Sequence, residues 1–294
     1  MDLVVGMDGG GTTLRVAIAD LEGNQLAEAT GPGINPNSGG DPGRSFDETL
    51  GWALAAAPTG RIVGGVAGLA GFITNGPALT RALESAWRRH GLTSPVRAVS
   101  DLVVAFWSGE ARPAGTVLIA GTGAIAGLVS GAELGATSDG YGYLLGDRGG
   151  GVWLGRAAVR AALDGHSGRG PATLLTKLVL RDETACELIA SVYAASPKEL
   201  GKYARFVDQA YHLGDPVAAE IVDEAVSELV RTVESLPGAD GGPLVLVGSV
   251  ATGDHPVAAG LRSRLQELGW TVSEGNSGLT GALRLARHQV LAVD

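Results

Sequence analysis

This chain of 294 residues contains one cysteine, Cys186. A lone thiol excludes an internal disulfide framework, a cysteine-based zinc cluster and an iron–sulfur cluster held by one chain. Lysine is almost as scarce. Only Lys177, Lys198 and Lys202 occur among the 22 basic residues, which reads as a trait of composition rather than of chemistry. The five histidines, at 90, 166, 212, 255 and 288, show no metal-binding spacing. No apolar stretch approaches the ~20 residues that cross a bilayer, and the N-terminus lacks the apolar core of a secretory signal. A soluble, cytoplasmic protein is the expectation. With a net charge of −9, a general nucleic-acid or anionic-membrane partner is disfavoured, although a bound nucleotide needs only local positive potential.

What is present is glycine. The 47 glycines and 13 prolines follow no collagen-like period and gather at turns, while 45% hydrophobic residues suffice for the cores of two domains. The most informative cluster runs Leu3-Val4-Val5-Gly6-Met7-Asp8-Gly9-Gly10-Gly11-Thr12-Thr13 and continues into Leu14–Asp20. It reads as a buried strand closed by an acid, a glycine turn and a second strand. Consecutive glycines free backbone N–H groups to converge on an anion, and the two threonine hydroxyls add donors. A P-loop or dinucleotide fingerprint would open a helix here, and a P-loop would carry Gly-Lys-Ser/Thr. The turn leads instead into a strand, and no lysine precedes Lys177.

Further along, residues 25–30 read as a third strand, 31–40 as a Gly/Pro/Asn loop and 41–57 as a helix. A strand at 61–66, a loop at 68–71, a helix at 76–90 and a strand at 96–100 closing on Asp101 complete a ribonuclease-H-like half. The pattern then restarts. Residues 116–120 form a strand, Gly121-Thr122-Gly123 a glycine turn, and 124–129 and 133–137 two more strands, an internal duplication. A second glycine-rich loop spans 140–151 and opens a helix at 152–164. The stretch 171–236 reads as helical, with breaks near Arg181, Ala195 and Gly214 and with Ser196-Pro197 as a helix start. A strand at 243–247, Gly248-Ser249-Val250-Ala251-Thr252, a helix at 256–268, a strand at 271–273 and a helix at 278–291 close the chain. The expected fold is α/β and, by its resemblance to the actin-like ATPases, a duplicated ribonuclease-H-like fold of two domains flanking a nucleotide/sugar cleft. The first domain covers 1–112 joined by about 283–294. The second covers 113–282 with a helical insertion at about 152–236.

Three loops define a nucleotide site on this reading: Gly10, Gly11, Thr12 and Thr13; Gly121, Thr122 and Gly123; and Gly248, Ser249 and Thr252. The first two hold phosphates through backbone N–H and hydroxyl, and the third lets an adenosine approach the backbone. Asp101, at a strand end before the duplication, is placed to accept the proton of an attacking alcohol. A helix N-cap role is compatible with that position. Asp8, at the phosphate hairpin, is the candidate for holding Mg²⁺, through water.

These pieces resemble the actin, hexokinase and Hsp70 superfamily, and within it the BadF/BadG/BcrA/BcrD ATPase family, N-acetylglucosamine kinase-like. The resemblance rests on Asp8-Gly9-Gly10-Gly11-Thr12, Asn35, Asp101, Gly121-Thr122-Gly123, Gly140-Tyr141-Gly142…Gly146-Asp147 and Val247-Gly248-Ser249-Val250. It implies ATP and Mg²⁺ as cofactors, a small-molecule sugar as partner and a homodimer. It also implies phosphorylation of N-acetylglucosamine at its 6-hydroxyl, with Asp101 as base. Asn35, Asp101, Thr122, Ala124, Ile125, Gly140, Tyr141 and Asp147 would contact the sugar. Tyr141, Ala124 and Arg148-Gly149-Gly150 depart from the family pattern of Trp, Ser and Glu-Gly-Ser, which bears on the preferred amino sugar. The alternatives are a glucosamine or N-acetylmuramate kinase on the same scaffold, or a non-catalytic sugar-sensing relative, for which a DNA-binding extension would be expected before Leu3. An electron-transferring ATPase would need two cysteines per subunit, and the repressor/kinase relatives carry a cysteine zinc motif absent here.

Overall fold

The computed structural model describes residues 1–34, 40–110, 112–238 and 241–292. The first half runs β1 (Asp2–Gly9), β2 (Thr13–Asp20), β3 (Gln25–Pro32), α1 (Pro42–Ala56), β4 (Arg61–Leu69), α2 (Phe72–Arg89), β5 (Val96–Ser100) and α3 (Asp101–Gly109). The second begins with β6 (Ala114–Ala120), β7 (Ala124–Ser130) and β8 (Glu133–Asp139). It continues through α4 (Gly151–Ser167), α5 (Leu174–Leu180), α6 (Ala185–Ala194), a 3-10 segment (Pro197–Tyr203), α7 (Ala204–His212) and α8 (Pro216–Glu234). It ends with β9 (Gly242–Val247), α9 (Pro256–Glu267), β10 (Trp270–Glu274) and α10 (Gly278–Leu291).

Two five-stranded sheets result, ordered β3-β2-β1-β4-β5 and β8-β7-β6-β9-β10. The order is the same in both, with the first strand of each repeat at the centre, so the duplication read from the glycine turns is a duplication of topology. In the first sheet β1 pairs antiparallel with β2, and β2 with β3, while β1–β4 and β4–β5 are parallel. A central strand is covered on both faces, which is why Leu3 to Met7 are buried without alternation.

The chain divides into two compact units. The first comprises Met1–Val117, Leu128–Gly135 and Gly275–Asp294; the second, Leu118–Gly127 and Ala136–Glu274. In the first, Val5, Met7, Ile18, Phe46, Leu50 and Trp87 centre one buried apolar cluster between the sheet and α1–α2. Asp41 caps α1 by accepting the Arg44 N–H, with Pro42 at the first helical position. On the other side α10 packs against β1, β4 and α3. Two glycines permit that seat. A Cβ on Gly281 would lie 1.8 Å from the Val104 carbonyl oxygen, and one on Gly6 would lie 2.8 Å from the Leu283 nitrogen.

The expected loop at 68–71 is shorter than its glycines suggested. β4 continues to Leu69, which is fully buried, and α2 starts at Phe72, one turn before Gly76. Gly71, at φ +75°, opens that helix, and Pro77 falls inside it rather than at its start. In the second unit the expected breaks are real. Arg181 and Ala195 terminate α5 and α6, and Gly214 at φ +78° separates α7 from α8. Ser196-Pro197 opens the 3-10 segment and not an α-helix, and Ser196 makes no side-chain cap bond. Among the described residues no helix is long and apolar enough to cross a membrane.

Gly281→Ala should therefore strongly destabilise the protein, because the blocking atom is backbone oxygen and cannot swing aside. Overpacking of this kind costs about 1–3 kcal/mol or more. Gly91→Ala, at φ +71° with open space around it, should cost less, about 1 kcal/mol from its left-handed backbone. Melting temperatures of the two variants, measured side by side, check the ranking.

Candidate active site

In the first unit the β1–β2 turn is closed by the Gly10 N–H donating to the Thr13 carbonyl at 2.8 Å, and its Thr12 and Thr13 side chains are exposed. The Ile34 N–H donates to the Gly10 carbonyl at 3.1 Å, so the chain leaving β3 is tied to the turn. Asn35, expected as a sugar contact, lies outside the described residues.

Asp8 stands opposite Arg15 across the hairpin, and the Arg15 guanidinium donates to its carboxylate at 2.5 Å. Its other oxygen faces the first turn of α10, where a Cβ on Gly278 would lie 2.7 Å from it. Arg15 is a partner that sequence reading missed, although its seven-residue offset across a hairpin places it in register with Asp8. Among the described residues no three acidic, histidine or cysteine side chains cluster as a metal cage. Mg²⁺ does not require one, since it takes one or two carboxylates plus phosphate oxygens and retains several waters. Asp8, with the negative charge of Asp101 acting on the same neighbourhood, fits that modest demand.

Asp101 is the first residue of α3, not the last of β5, and the N-cap is Ser100, whose hydroxyl oxygen accepts the Leu102 N–H. Ser100 and Leu102 also donate to the Asp101 carboxylate, each at 3.0 Å. Burial pushes this carboxyl above the usual aspartate range. The two hydrogen bonds pull it back in part, and the charge of Asp8 pushes it up further.

In the second unit, the tip between β6 and β7 is held from below by α4. The Gly151 N–H donates to the Gly121 carbonyl at 2.7 Å and the Val152 N–H to the Thr122 carbonyl at 3.0 Å. The third glycine loop docks beside it, with Val250 and Ala251 N–H groups both donating to the Ala120 carbonyl. Gly248 makes that docking possible, at φ +97° with space for no Cβ: one would lie 2.5 Å from the Ala120 oxygen. Thr252 turns its hydroxyl back to the Gly248 carbonyl at 3.1 Å.

These two loops open onto one cavity of about 390 Å³. Gly121, Thr122, Ser249 and His255 line it on one side, Lys198, Gly201, Arg205 and Asp208 on another. The volume falls in the range of small-molecule sites, ~300–1,000 Å³. The wall from the 3-10 segment and α7 was missed by sequence reading. One available signal was that two of the chain's three lysines, 198 and 202, fall in this short segment.

Beside the same tip sits the 140–150 loop. The Asp147 carboxylate is near the backbone N–H groups of Ala124 and Gly142, which favour its ionised form, and lies where a Cβ on Gly123 would be 2.5 Å away. Burial again raises its pKa, these two N–H groups oppose the rise, and the charge of Asp139 adds to it. The Gly140 N–H donates to the Ala124 carbonyl at 3.0 Å, and the Gly140 backbone packs on the Ile125 side chain. Tyr141 is exposed. Thr122, Ala124, Ile125, Gly140 and Asp147 are thus brought to one corner of the second unit.

A single family description covers nearly all of these elements. The model of the BadF/BadG/BcrA/BcrD ATPase family matches residues 5–286. The chain belongs to that family. The BadF/BadG/BcrA/BcrD assignment spans both glycine hairpins, the acid at α3 and the third loop. An N-acetylmuramic acid/N-acetylglucosamine kinase of Clostridium acetobutylicum is 29% identical, over 80% of this chain and 79% of its own. A glucosamine kinase of Vibrio cholerae is 23% identical, over 97% of this chain and 96% of its own. A crystal structure of a candidate N-acetylglucosamine kinase from Porphyromonas gingivalis shares the fold, with TM-score 0.71 and 26% identity. That likeness covers 98% of this chain and 99% of the other.

Gly248→Ala should disturb the Ala120 junction and with it the cavity. The expected result is a lower melting temperature together with at least tenfold weaker binding of a non-hydrolysable ATP analogue, read by calorimetry. Undiminished analogue affinity would show that this junction does not shape a nucleotide site.

Proposed function

We propose that this protein is an ATP-dependent amino-sugar kinase that phosphorylates the 6-hydroxyl of N-acetylglucosamine. The observation that carries the kinase reading is Asp101, a half-buried carboxylate at a helix start whose proton affinity is raised by its surroundings. A base works best when its pKa approaches the working pH, and burial moves Asp101 in that direction. The sugar class is supported by the relatives, which are kinases of N-acetylglucosamine, N-acetylmuramic acid and glucosamine. Glucosamine or N-acetylmuramate is accordingly the second reading of the acceptor.

In the second unit ATP occupies the 390 Å³ cavity, its adenosine beside Ser249 and its phosphates at the Gly121–Gly123 tip. Lys198 and Arg205 line that cavity and supply positive charge for the phosphates, with Asp208 beside them. Asp147 accepts a hydrogen bond from a sugar hydroxyl, with Thr122, Ala124, Ile125, Gly140 and Tyr141 around it. In the first unit the Gly10–Thr13 turn offers donors to phosphate. Asp101 takes the proton of the 6-hydroxyl as that oxygen bonds to the γ-phosphorus and the bond from phosphorus to the β-phosphate oxygen breaks. ADP departs and the sugar 6-phosphate remains. Asp8 would hold Mg²⁺, which when bound neutralises charge on the phosphates.

Asp101→Asn should lower kcat by about 10²–10⁴ while sugar and ATP binding stay within a few-fold. A panel of N-acetylglucosamine, glucosamine, N-acetylmuramate and glucose, read by ADP release, tests the acceptor; no sugar-dependent release with any amino sugar overturns the reading. The same variant should be at least as stable as the parent at neutral pH. The folded state raises the Asp101 pKa, so the ionised form costs stability above that pKa and none below the ordinary aspartate range. The variant's advantage should therefore shrink as pH falls.

The acid limb of kcat/KM should lie above the ordinary aspartate pKa. Asp8→Asn removes one of the two causes of the rise, so it should move the limb to lower pH as well as reduce turnover. A parent limb that stays at the ordinary aspartate pKa would show that Asp101 is not the titrating group.

A further inference from the structure

Asp139, the last residue of β8, has no part in the chemistry above, yet it is bound to that site more tightly than a loop residue needs to be. One carboxylate oxygen accepts the Asp147 N–H at 2.8 Å and the other accepts the Arg148 N–H at 2.9 Å. Each oxygen thus takes a backbone N–H from one of two consecutive residues. The residue held in this way is itself unusual. Only three non-glycine residues among those described have positive φ, and two of them are Asp139 at +60° and Asp147 at +56°. Left-handed backbone is uncommon for a residue with a Cβ, even aspartate, and persists where the surroundings over-determine it. Here the Asp147 backbone is held by the Asp139 carboxylate. The space is filled as well, since a Cβ on Gly146 would lie 2.1 Å from the Asp139 carboxylate.

We propose that Asp139 is a positioning residue for the sugar site: by clamping the amides of Asp147 and Arg148 it fixes the direction in which the Asp147 carboxylate points. Without the clamp, Asp147 relaxes from its left-handed backbone, and its carboxylate loses register with the Ala124 and Gly142 amides and with Gly123. The negative charge of Asp139 also favours the protonated form of Asp147, so the clamp and the ionisation of its target are coupled. The inference rests on the reading of Asp147 as a sugar contact, and a double-mutant cycle separates the two.

The experiment uses the full chain with N-acetylglucosamine and ATP, and measures both KM values and kcat for Asp139→Ala, Asp147→Asn and the double variant. Asp139→Ala is expected to raise the sugar KM about tenfold, within the range of couplings between contacting residues, with ATP KM and kcat within about threefold. Asp147→Asn is expected to raise it by at least as much, and Asp139→Ala to add less than about twofold on that background. Asp139→Asn keeps one acceptor and should fall between parent and alanine, and it carries the same comparison should the alanine variant fail to fold. If Asp147→Asn raises the sugar KM and Asp139→Ala does not, the positioning role is overturned. Additive effects, or equal rises in sugar and ATP KM, would reduce Asp139 to a general structural residue. A sugar KM unmoved by Asp147→Asn would instead overturn the sugar-contact reading itself.

Discussion

The carbonyl of Ala120 is the point on which the second unit's site depends. It ends the central strand β6 and accepts the N–H groups of both Val250 and Ala251, at 2.9 and 3.1 Å. One oxygen therefore fixes the third glycine loop against the β6–β7 tip, and the nucleotide-sized cavity is the space those two loops leave open. The carbonyls that follow, of Gly121 and Thr122, are taken by the first amides of α4. Backbone satisfies backbone here at distances no side chain would permit, and this is the physical use of so much glycine. Each of these three carbonyls has its donor, and the side of the turn away from them is left free to line the cavity.

Two carboxylates carry the chemistry proposed for this fold, and the surroundings of both disfavour the ionised form. Asp101 and Asp147 are each desolvated, each placed near a second negative charge, and each steadied by amide or hydroxyl donors that offset part of the cost. Asp8 has a different solution. It pairs with Arg15 across the hairpin and sits against the first turn of α10, so its charge is compensated locally. Groups with raised proton affinity suit proton transfer and hydroxyl recognition, while a carboxylate beside a phosphate hairpin suits a phosphate-bound metal. A family of ATPases whose relatives here are amino-sugar kinases has use for both kinds.

Sequence alone determined the glycine hairpins, the repeat and most of the element order. A buried strand has a continuous apolar run, a hairpin tip has glycine, and both are local properties; hence Leu3–Met7, Gly9–Gly11 and Gly121–Gly123 were legible, and the repeat followed from them. Asp101 was legible to within one residue, and the helix start it shares with Ser100 was not, because serine and aspartate are equally good caps and only coordinates choose between them. What the tertiary structure decided was everything that depends on two distant segments meeting. The Lys198–Asp208 wall facing Ser249 is such a pairing, while Arg15 on Asp8 and Asp139 on the Asp147 amide, seven and eight residues apart, depend on the hairpin register and the loop path that the fold sets. Periodicity reports which face of an element is buried, never against what, and a site is made of the second kind of information.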